Sequence, residues 1–314
     1  MNELAILIAA ALLSGLQLNL VQIGDSYGSG LGGGAYEDRV CRRSPASALD
    51  FAAKHTGSSA RNVACAGAHL SHLTRERRIH EQYHQVDLAG RIDLLEAAAH
   101  AAFFCDPGIA APIATSIEID NHRATVGCTA TLPAQVDEVG GATDIFLTAG
   151  GNDVGFVDVA ARCFALPDET GCQSALDRVR TEMDEVMVGE ERAIRAVRAN
   201  SDARIHVVTY PPVVSPDYTI GSYLAGREMT EAYEEWNARL AELVSGLDSE
   251  LGGISLVDTG QFWDPEMIHR SGAIDELFHP TQEGHRAIGL AYLVDLLATV
   301  GEDAGREPGA GPAS

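Results

Sequence analysis

Residues 19–34 read NLVQIGDSYGSGLGGG, a short apolar run followed by a glycine-rich stretch. An apolar run of this length predicts a buried β-strand over 19–23. The glycine and the small polar residues after it are turn formers, so the strand is expected to end at Gly24. Asp25 and Ser26 then follow the carboxyl end of a strand, which is where open parallel sheets bind their ligands.

Further apolar runs predict four more strands, and amphipathic segments between them predict helices. The strands are 61–65, 144–148, 204–209 and 254–257, and the helices are 46–55, 86–103, 175–198, 229–247 and 284–297. Strands that alternate with helices indicate a parallel sheet covered on both faces. The expected fold is an α/β, three-layer α/β/α sandwich with a central, mostly parallel five-stranded sheet.

The chain is expected to form one domain over 19–299. An insertion around 74–133 interrupts the alternation, and the segments 116–119 and 124–127 within it predict a β-hairpin. The Gly-, Pro- and Ala-rich stretch 300–314 predicts a disordered tail.

The first 18 residues contain an apolar run over 4–13. It is shorter than the roughly 20 residues that cross a bilayer, and its length is typical of a secretory signal. Glu3 stands where such a signal carries positive charge, and no small-residue cleavage site follows. A buried N-terminal segment is therefore the alternative interpretation.

The formal net charge of -23 argues against a nucleic-acid partner, because such proteins present a basic face to phosphates. It also disfavours adsorption to an anionic membrane surface. No run of the sequence has the length of a transmembrane span.

The chain contains six cysteines, Cys41, Cys65, Cys105, Cys128, Cys163 and Cys172. An even number beside a signal-like start favours three disulfides and an extracellular location. Six cysteines allow 15 pairings, of which the sequential set 41–65, 105–128 and 163–172 closes the shortest loops. The alternative is a set of buried free thiols in a cytosolic protein.

Three motifs compete for the glycine-rich stretch. Gly28-x-Gly30-x-x-Gly33, with Asp50 downstream, matches a dinucleotide-binding fingerprint, but the strand ends too early and no helix opens at Gly33. Gly24-x-Ser26-x-Gly28 matches a nucleophile elbow, but too few residues precede it to build the strands of an α/β-hydrolase. The third motif is Gly24-Asp25-Ser26 itself.

The short motif becomes specific when it is taken together with three further sequence blocks. They are 62–68 (NVACAGA), 150–156 (GGNDVGF) and 278–285 (FHPTQEGH). Together with Gly24-Asp25-Ser26 they resemble the four blocks of the SGNH, or GDSL, hydrolases. The resemblance covers about 20–297, leaves 74–133 poorly matched, and is strongest to the secreted three-disulfide esterase and lipase branch of actinobacteria. That branch has sequentially paired cysteines.

The resemblance implies a role for one residue of each block. Ser26 would be the nucleophile and His279 the general base, because a serine hydroxyl needs a base to become nucleophilic at neutral pH. The N–H groups of Ser26 and Gly67 and the side-chain amide of Asn152 would form the oxyanion hole. The chemistry needs no metal and no organic cofactor.

The residue that would orient His279 is left open. The family pattern places an aspartate three residues before the histidine, where this chain has Glu276, and Asp275 is one position too far. Either Glu276 holds the imidazole, or a backbone carbonyl near Glu276 or Leu277 does so, as in some members of the secreted branch.

The expected function is a secreted serine esterase or lipase, acting as a monomer on a small-molecule or lipid ester. A carbohydrate O-deacetylase or a phospholipase on the same scaffold is an alternative, and an inactive binding protein on a hydrolase fold is one from another class. Residues near the blocks are assigned lesser roles. Leu31, Tyr36 and Phe156 are candidates for an acyl pocket, Asp153 for a cap on the next helix, His285 for packing, and His69, His72, His80 and His84 for a weakly supported zinc site.

Overall fold

The computed structural model describes residues 13–38, 40–87, 113–120, 123–165, 167–271 and 276–305, together with positions 4, 8, 10 and 11. Within these residues the strands are β1 (Asn19–Gly24), β2 (Ser59–Asn62), β3 (Arg77–Asp87), β4 (Ile113–Asp120), β5 (Arg123–Leu132), β6 (Asp144–Thr148), β7 (Arg204–Val208) and β8 (Ile254–Val257). Five of them form a sheet in the order β2-β1-β6-β7-β8, and all its neighbouring strands are parallel.

Helices cover both faces of this sheet. The described α-helices are α1 (Ser26–Ser29), α2 (Ala48–Thr56), α3 (Leu70–Thr74), α4 (Phe156–Ala160), α5 (Glu169–Asn200), α6 (Ala225–Leu251) and α7 (Gln282–Gly305). Short 3-10 helices lie at Leu13–Leu16, Gln135–Glu138, Thr259–Phe262 and Pro265–Met267. The three-layer α/β/α fold expected from the sequence is confirmed.

The alternation of side chains along each strand divides the core into two clusters. Ile145 and Leu147 of β6 pack with the apolar faces of α5 and α6, whereas Phe146 between them packs with α2 and α7. Because helices cover both faces of the parallel sheet, the central strands β1, β6 and β7 are buried almost throughout. The edge strand β2 (SARN) is polar and largely exposed. Because these strands are parallel, the loops that follow the carboxyl ends of β1, β2, β6 and β7 all lie at the same edge of the sheet.

The structure corrects the predictions for three segments beyond small shifts at helix and strand ends. β2 starts at Ser59 and ends at Asn62 rather than at residue 65, because the N–H groups of Val63 and Ala64 both donate to the Gln22 carbonyl and turn the chain away. Helix α7 continues to Gly305, into the expected tail 300–314; residues 306–314 lie outside the described chain. Residues 86–87 end β3 instead of starting a helix, and 88–103 lie outside the described residues.

The insertion forms a second, antiparallel sheet in the order β3-β5-β4. Its predicted hairpin is confirmed, with Ser116 opposite Gly127 and Ile119 opposite Ala124. The third strand, β3, was not predicted. His80 and His84, two residues of the suggested zinc site, lie on this strand.

Two of the expected disulfides are present, Cys41–Cys65 and Cys163–Cys172. Cys105 lies outside the described residues, so its pairing with Cys128 stays a prediction. No helix in the described part of the chain combines the length and the hydropathy that crossing a bilayer requires.

A buried ionic network joins the strands at the edge opposite these loops. The imidazole of His206 on β7 bonds to Asp144 on β6 and to Asp295 on α7, and none of the ring is exposed to solvent. Burial alone would lower the pKa of His206, but the two carboxylates raise it above its ordinary value. This network fixes α7 against the sheet.

Candidate active site

Ser26 lies at the first turn after β1, where a glycine is required. Gly24 has a φ of +126°, and a Cβ on it would stand 1.9 Å from the carbonyl oxygen of Thr148. Asp25 caps α1 by accepting the N–H of Tyr27 at 3.0 Å. Ser26 is then the first residue of a helix, so its own N–H has no intrahelical acceptor. Its side chain opens into a cavity although the residue is only 8% exposed.

His279 reaches Ser26 from the loop that precedes α7. Its Nε2 is 2.8 Å from Ser26 Oγ, and its Nδ1 is 3.1 Å from the carbonyl oxygen of Leu277. A carbonyl only accepts, so this contact places the proton on Nδ1 and leaves Nε2 to accept the serine proton. Phe278 between them has a φ of +64°, and Tyr27 Oη donates to its carbonyl at 2.7 Å.

Glu276 is placed against the glycine-rich loop. Its carboxylate accepts a hydrogen bond from the hydroxyl of Tyr36, and that hydroxyl accepts the N–H of Gly32 at 3.0 Å. Burial and the bond to Glu276 raise the pKa of Tyr36 to about 12. Tyr36 therefore ties the two loops together and is not among the residues that line the cavity, contrary to its expected role in an acyl pocket. Asp275 lies outside the described residues.

The two loops expected to supply oxyanion donors meet beside Ser26. Gly67, which has a φ of +70°, and Asn152 line the same cavity as Ser26. Asn152 Nδ2 donates to the Ala68 carbonyl at 2.8 Å, which fixes the amide and leaves its second N–H for another acceptor. This arrangement is suited to stabilising an oxygen that gains negative charge.

Asp153 caps a helix, but a different one from that expected. Its Oδ2 accepts the N–H of Leu70 at 3.0 Å, at the start of α3, rather than an N–H of α4. His69 and His72 flank this helix start, where His69 N–H donates to His72 Nδ1 at 3.0 Å. His285, as expected, is buried and bonds through Nε2 to the Leu31 carbonyl at 3.0 Å.

Tyr210, which was not singled out from the sequence, joins the nucleophile loop to the Asn152 loop. Its hydroxyl donates to the carboxylate of Asp25 and accepts the N–H of Gly151 at 3.0 Å. Asp25 is fully buried, and burial raises its pKa to about 7 in spite of the bond from Tyr210. One signal was present in the sequence: Tyr210 follows a predicted strand and thus lies at the same sheet edge as the four blocks.

A cavity of about 440 Å³ opens beside Ser26 and His279. Its walls are contributed by α4, the turn that follows it, the loop after β7 and the start of α6, and they are apolar: Phe156, Val157, Ala160, Phe164, Val214 and Met229. Leu31 and Phe156 line it, as expected. The disulfide of Cys163 with Cys172 anchors the wall that carries Phe164 to α5.

Comparison with known proteins was made on sequence and on structure. A model of the GDSL-like lipase/acylhydrolase family matches residues 23–287. A comparison with curated protein sequences finds no match. Among solved structures, the chain is similar to an extracellular lipase from Streptomyces rimosus (20% identity, 89% of this chain and 99% of that chain, TM-score 0.61). It is also similar to phospholipase A1 from Streptomyces albidoflavus (19% identity, 89% and 99%, TM-score 0.59). At these identities the structural likeness concerns the fold.

We expect Glu276→Gln to lower kcat for a p-nitrophenyl ester by less than tenfold, because Leu277 O faces Nδ1 and glutamine still accepts from Tyr36. A carboxylate that orients a catalytic histidine costs about 10⁴ in kcat when it becomes an amide. Steady-state kinetics distinguishes the two, with Tyr36→Phe as the control for the shared hydrogen bond. A loss of several orders of magnitude in Glu276→Gln alone would restore Glu276 as the orienting group.

We expect Tyr210→Phe to lower kcat by about 10- to 100-fold with little change in KM, since a hydrogen bond to a charged group contributes about 1.5–3 kcal/mol. The ring still packs on Tyr27 and Phe156, at centroid distances of 5.2 and 5.5 Å. Tyr218→Phe is the matched control, because it loses a bond to the Cys163 carbonyl instead. Equal kcat values for the two variants would rule out a positioning role for Tyr210.

Proposed function

The chain belongs to the GDSL-like lipase/acylhydrolase family, and we propose that it is a secreted serine esterase of lipase type, with Ser26 as nucleophile and His279 as general base. As a family member it is a carboxylic ester hydrolase. The observation that carries the assignment of residues is the 2.8 Å contact between Ser26 Oγ and His279 Nε2 at the mouth of an apolar cavity.

The proposed reaction has two halves. Ser26 Oγ bonds to the ester carbonyl carbon while its proton passes to His279 Nε2, and the resulting oxyanion accepts from the N–H groups of Ser26, Gly67 and Asn152. The tetrahedral intermediate expels the alcohol, which takes the proton from His279. Water, deprotonated by His279, then attacks the acyl-enzyme, and collapse releases the acid and regenerates Ser26.

The apolar cavity supports an acyl chain of medium or greater length. Its volume of about 440 Å³ lies within the roughly 300–1,000 Å³ range of small-molecule sites. An acetyl group would leave most of the cavity's apolar wall in contact with water. In a longer acyl chain, each buried CH₂ contributes about 0.8 kcal/mol to the free energy of binding. A lipid-like ester therefore fits the site better than the acetylated sugar of an O-deacetylase.

The disulfides support the proposal that the protein is secreted. The disulfides Cys41–Cys65 and Cys163–Cys172 persist in oxidising compartments rather than in the cytosol. One of the similar structures is that of an extracellular lipase.

Ser26→Ala is expected to lower kcat on every p-nitrophenyl ester by at least about 10³-fold, because the variant has no nucleophile for the base to activate. Ser71→Ala, at an exposed position of α3, is the matched control and is expected to keep full activity. Turnover of Ser26→Ala equal to that of the wild type would refute the serine mechanism.

Ala160→Phe is expected to shift the acyl-chain preference to shorter esters, because the larger side chain projects from the wall and reduces the volume of the cavity. In the wild type, kcat/KM from acetate to octanoate is expected to rise by up to about fourfold per CH₂, the factor that 0.8 kcal/mol gives. The variant should lose at least tenfold on octanoate and little on acetate. Val188→Phe, at an exposed position of α5, should leave the series unchanged. A flat wild-type series would refute the acyl cavity.

A further inference from the structure

A second cavity, of about 230 Å³, lies between the end of β2 and the segment that leads from β5 into the 3-10 helix Gln135–Glu138. Four basic side chains line it, those of Arg43, Arg61, His72 and Arg77, with Glu138 as the acidic member of the lining. Three arginines around one small cavity are unexpected in a chain with a net charge of -23. Each of these basic side chains either stabilises the fold through bonds within the protein or is available to bind a ligand.

Contacts within the protein account for the positions of Arg43 and Arg61. Arg43 donates to the Val63 and Ala64 carbonyls at 3.0 Å each and pairs with Asp38 at 3.2 Å. Arg61 is exposed and donates to the Gly140 carbonyl at 3.0 Å. Both side chains stabilise the turns around β2, so neither requires a ligand.

Arg77 is different. Its guanidinium donates to the Ala66 carbonyl at 2.9 Å and lies 3.2 Å from the position of a Cβ on Gly67. Burial lowers its pKa, and no acid of the described chain contributes an opposing effect. A half-buried guanidinium has five N–H donors, and one carbonyl satisfies only part of them. Such a group is stabilised strongly by an anion, most of all by one that accepts two parallel hydrogen bonds.

His72 supplies a second donor in the same cavity. Its Nδ1 accepts the N–H of His69, so a neutral ring carries its proton on Nε2. Burial lowers the pKa of His72, and the charge of Arg77 lowers it further. Donors that converge on one cavity from different elements suit a tetrahedral oxyanion, because its oxygens point in several directions and can accept from each donor.

We propose that this cavity binds a phosphate-type oxyanion through Arg77 and His72. The position of Arg77 suggests its source. Arg77 lies at the start of β3, and its guanidinium is next to Gly67, which lines the apolar cavity together with Ser26. An ester bound at Ser26 therefore lies near Arg77, and a phosphate carried further along its alcohol part is the ligand. This second step rests on the proposed function.

The first test measures binding without catalysis. Inorganic phosphate is titrated by calorimetry into the Ser26→Ala protein, alone and combined with Arg77→Gln or Arg75→Gln. Arg75 is exposed, so its variant removes the same charge at a neighbouring position. We expect Arg77→Gln to weaken phosphate binding at least about tenfold, as the loss of a charged hydrogen bond predicts, and Arg75→Gln to leave it unchanged. Equal affinity of the two variants, or no binding to the parent protein, would overturn the proposal.

The second test identifies the source of the phosphate. Hydrolysis of dioctanoyl phosphatidylcholine and of neutral dioctanoylglycerol is compared below their aggregation concentrations. We expect the wild type to prefer the phosphate-bearing ester, Arg77→Gln to lose that preference about tenfold, and Arg77→Lys to keep part of it. An unchanged preference with intact phosphate binding would assign the cavity to free phosphate and overturn its role in the substrate. If neither ester is hydrolysed while phosphate still binds, the proposed function fails and the anion site stands.

Discussion

The hydrogen bond between Ser26 and His279 joins residues from opposite ends of the chain, and most of the site depends on how that approach is secured. The glycine-rich loop serves this purpose. His269 Nε2 bonds to the Gly32 carbonyl at 2.8 Å, and Gln282 Nε2 donates to the Gly33 carbonyl at 2.9 Å. A Cβ on Gly32 would stand 2.3 Å from the Pro280 carbonyl oxygen. Gly32 and Gly33, the latter also the last glycine of the apparent nucleotide fingerprint, therefore contact the loop that carries His279.

Charge is distributed unevenly around the site. Behind the nucleophile, burial raises the pKa of Asp25 to about 7 and that of Glu190 on α5 well above its ordinary value, with Asp153 contributing to both. Burial and mutual repulsion favour the neutral forms of Asp25 and Glu190, and the hydrogen bond from Tyr210 opposes this effect at Asp25. The cations collect instead on the β2 side, where Arg77 contacts the Gly67 loop.

The sequence predicted those features that depend on local pattern. Four strands of the main sheet follow from apolar runs, whereas β2 was predicted only in part because SARN is polar. The placement of Ser26, Gly67 and Asn152 together follows from the rule that parallel strands present their carboxyl ends at one edge. β3 was missed because RRIHEQYHQVD is polar and does not alternate apolar with polar residues. Tyr210 and the Tyr36 bond to Glu276 were missed because their partners lie 185 and 240 residues away, and no spacing records such a contact.

The two cavities constrain each other through the position of Ser26. The carbonyl carbon of an ester must stand above Oγ, and its oxygen must face the N–H groups of Gly67 and Asn152. With the carbonyl fixed in this way, the acyl part and the alcohol part of the bound ester extend from the carbonyl carbon in different directions. The apolar cavity beside Phe156 accepts only the part that has no charge, because an unpaired charge there would lose its hydration without compensation. The alcohol oxygen must face His279, which returns the proton to it. A negatively charged group further along the alcohol part is favoured where it reaches the half-buried guanidinium of Arg77 beside the Gly67 loop.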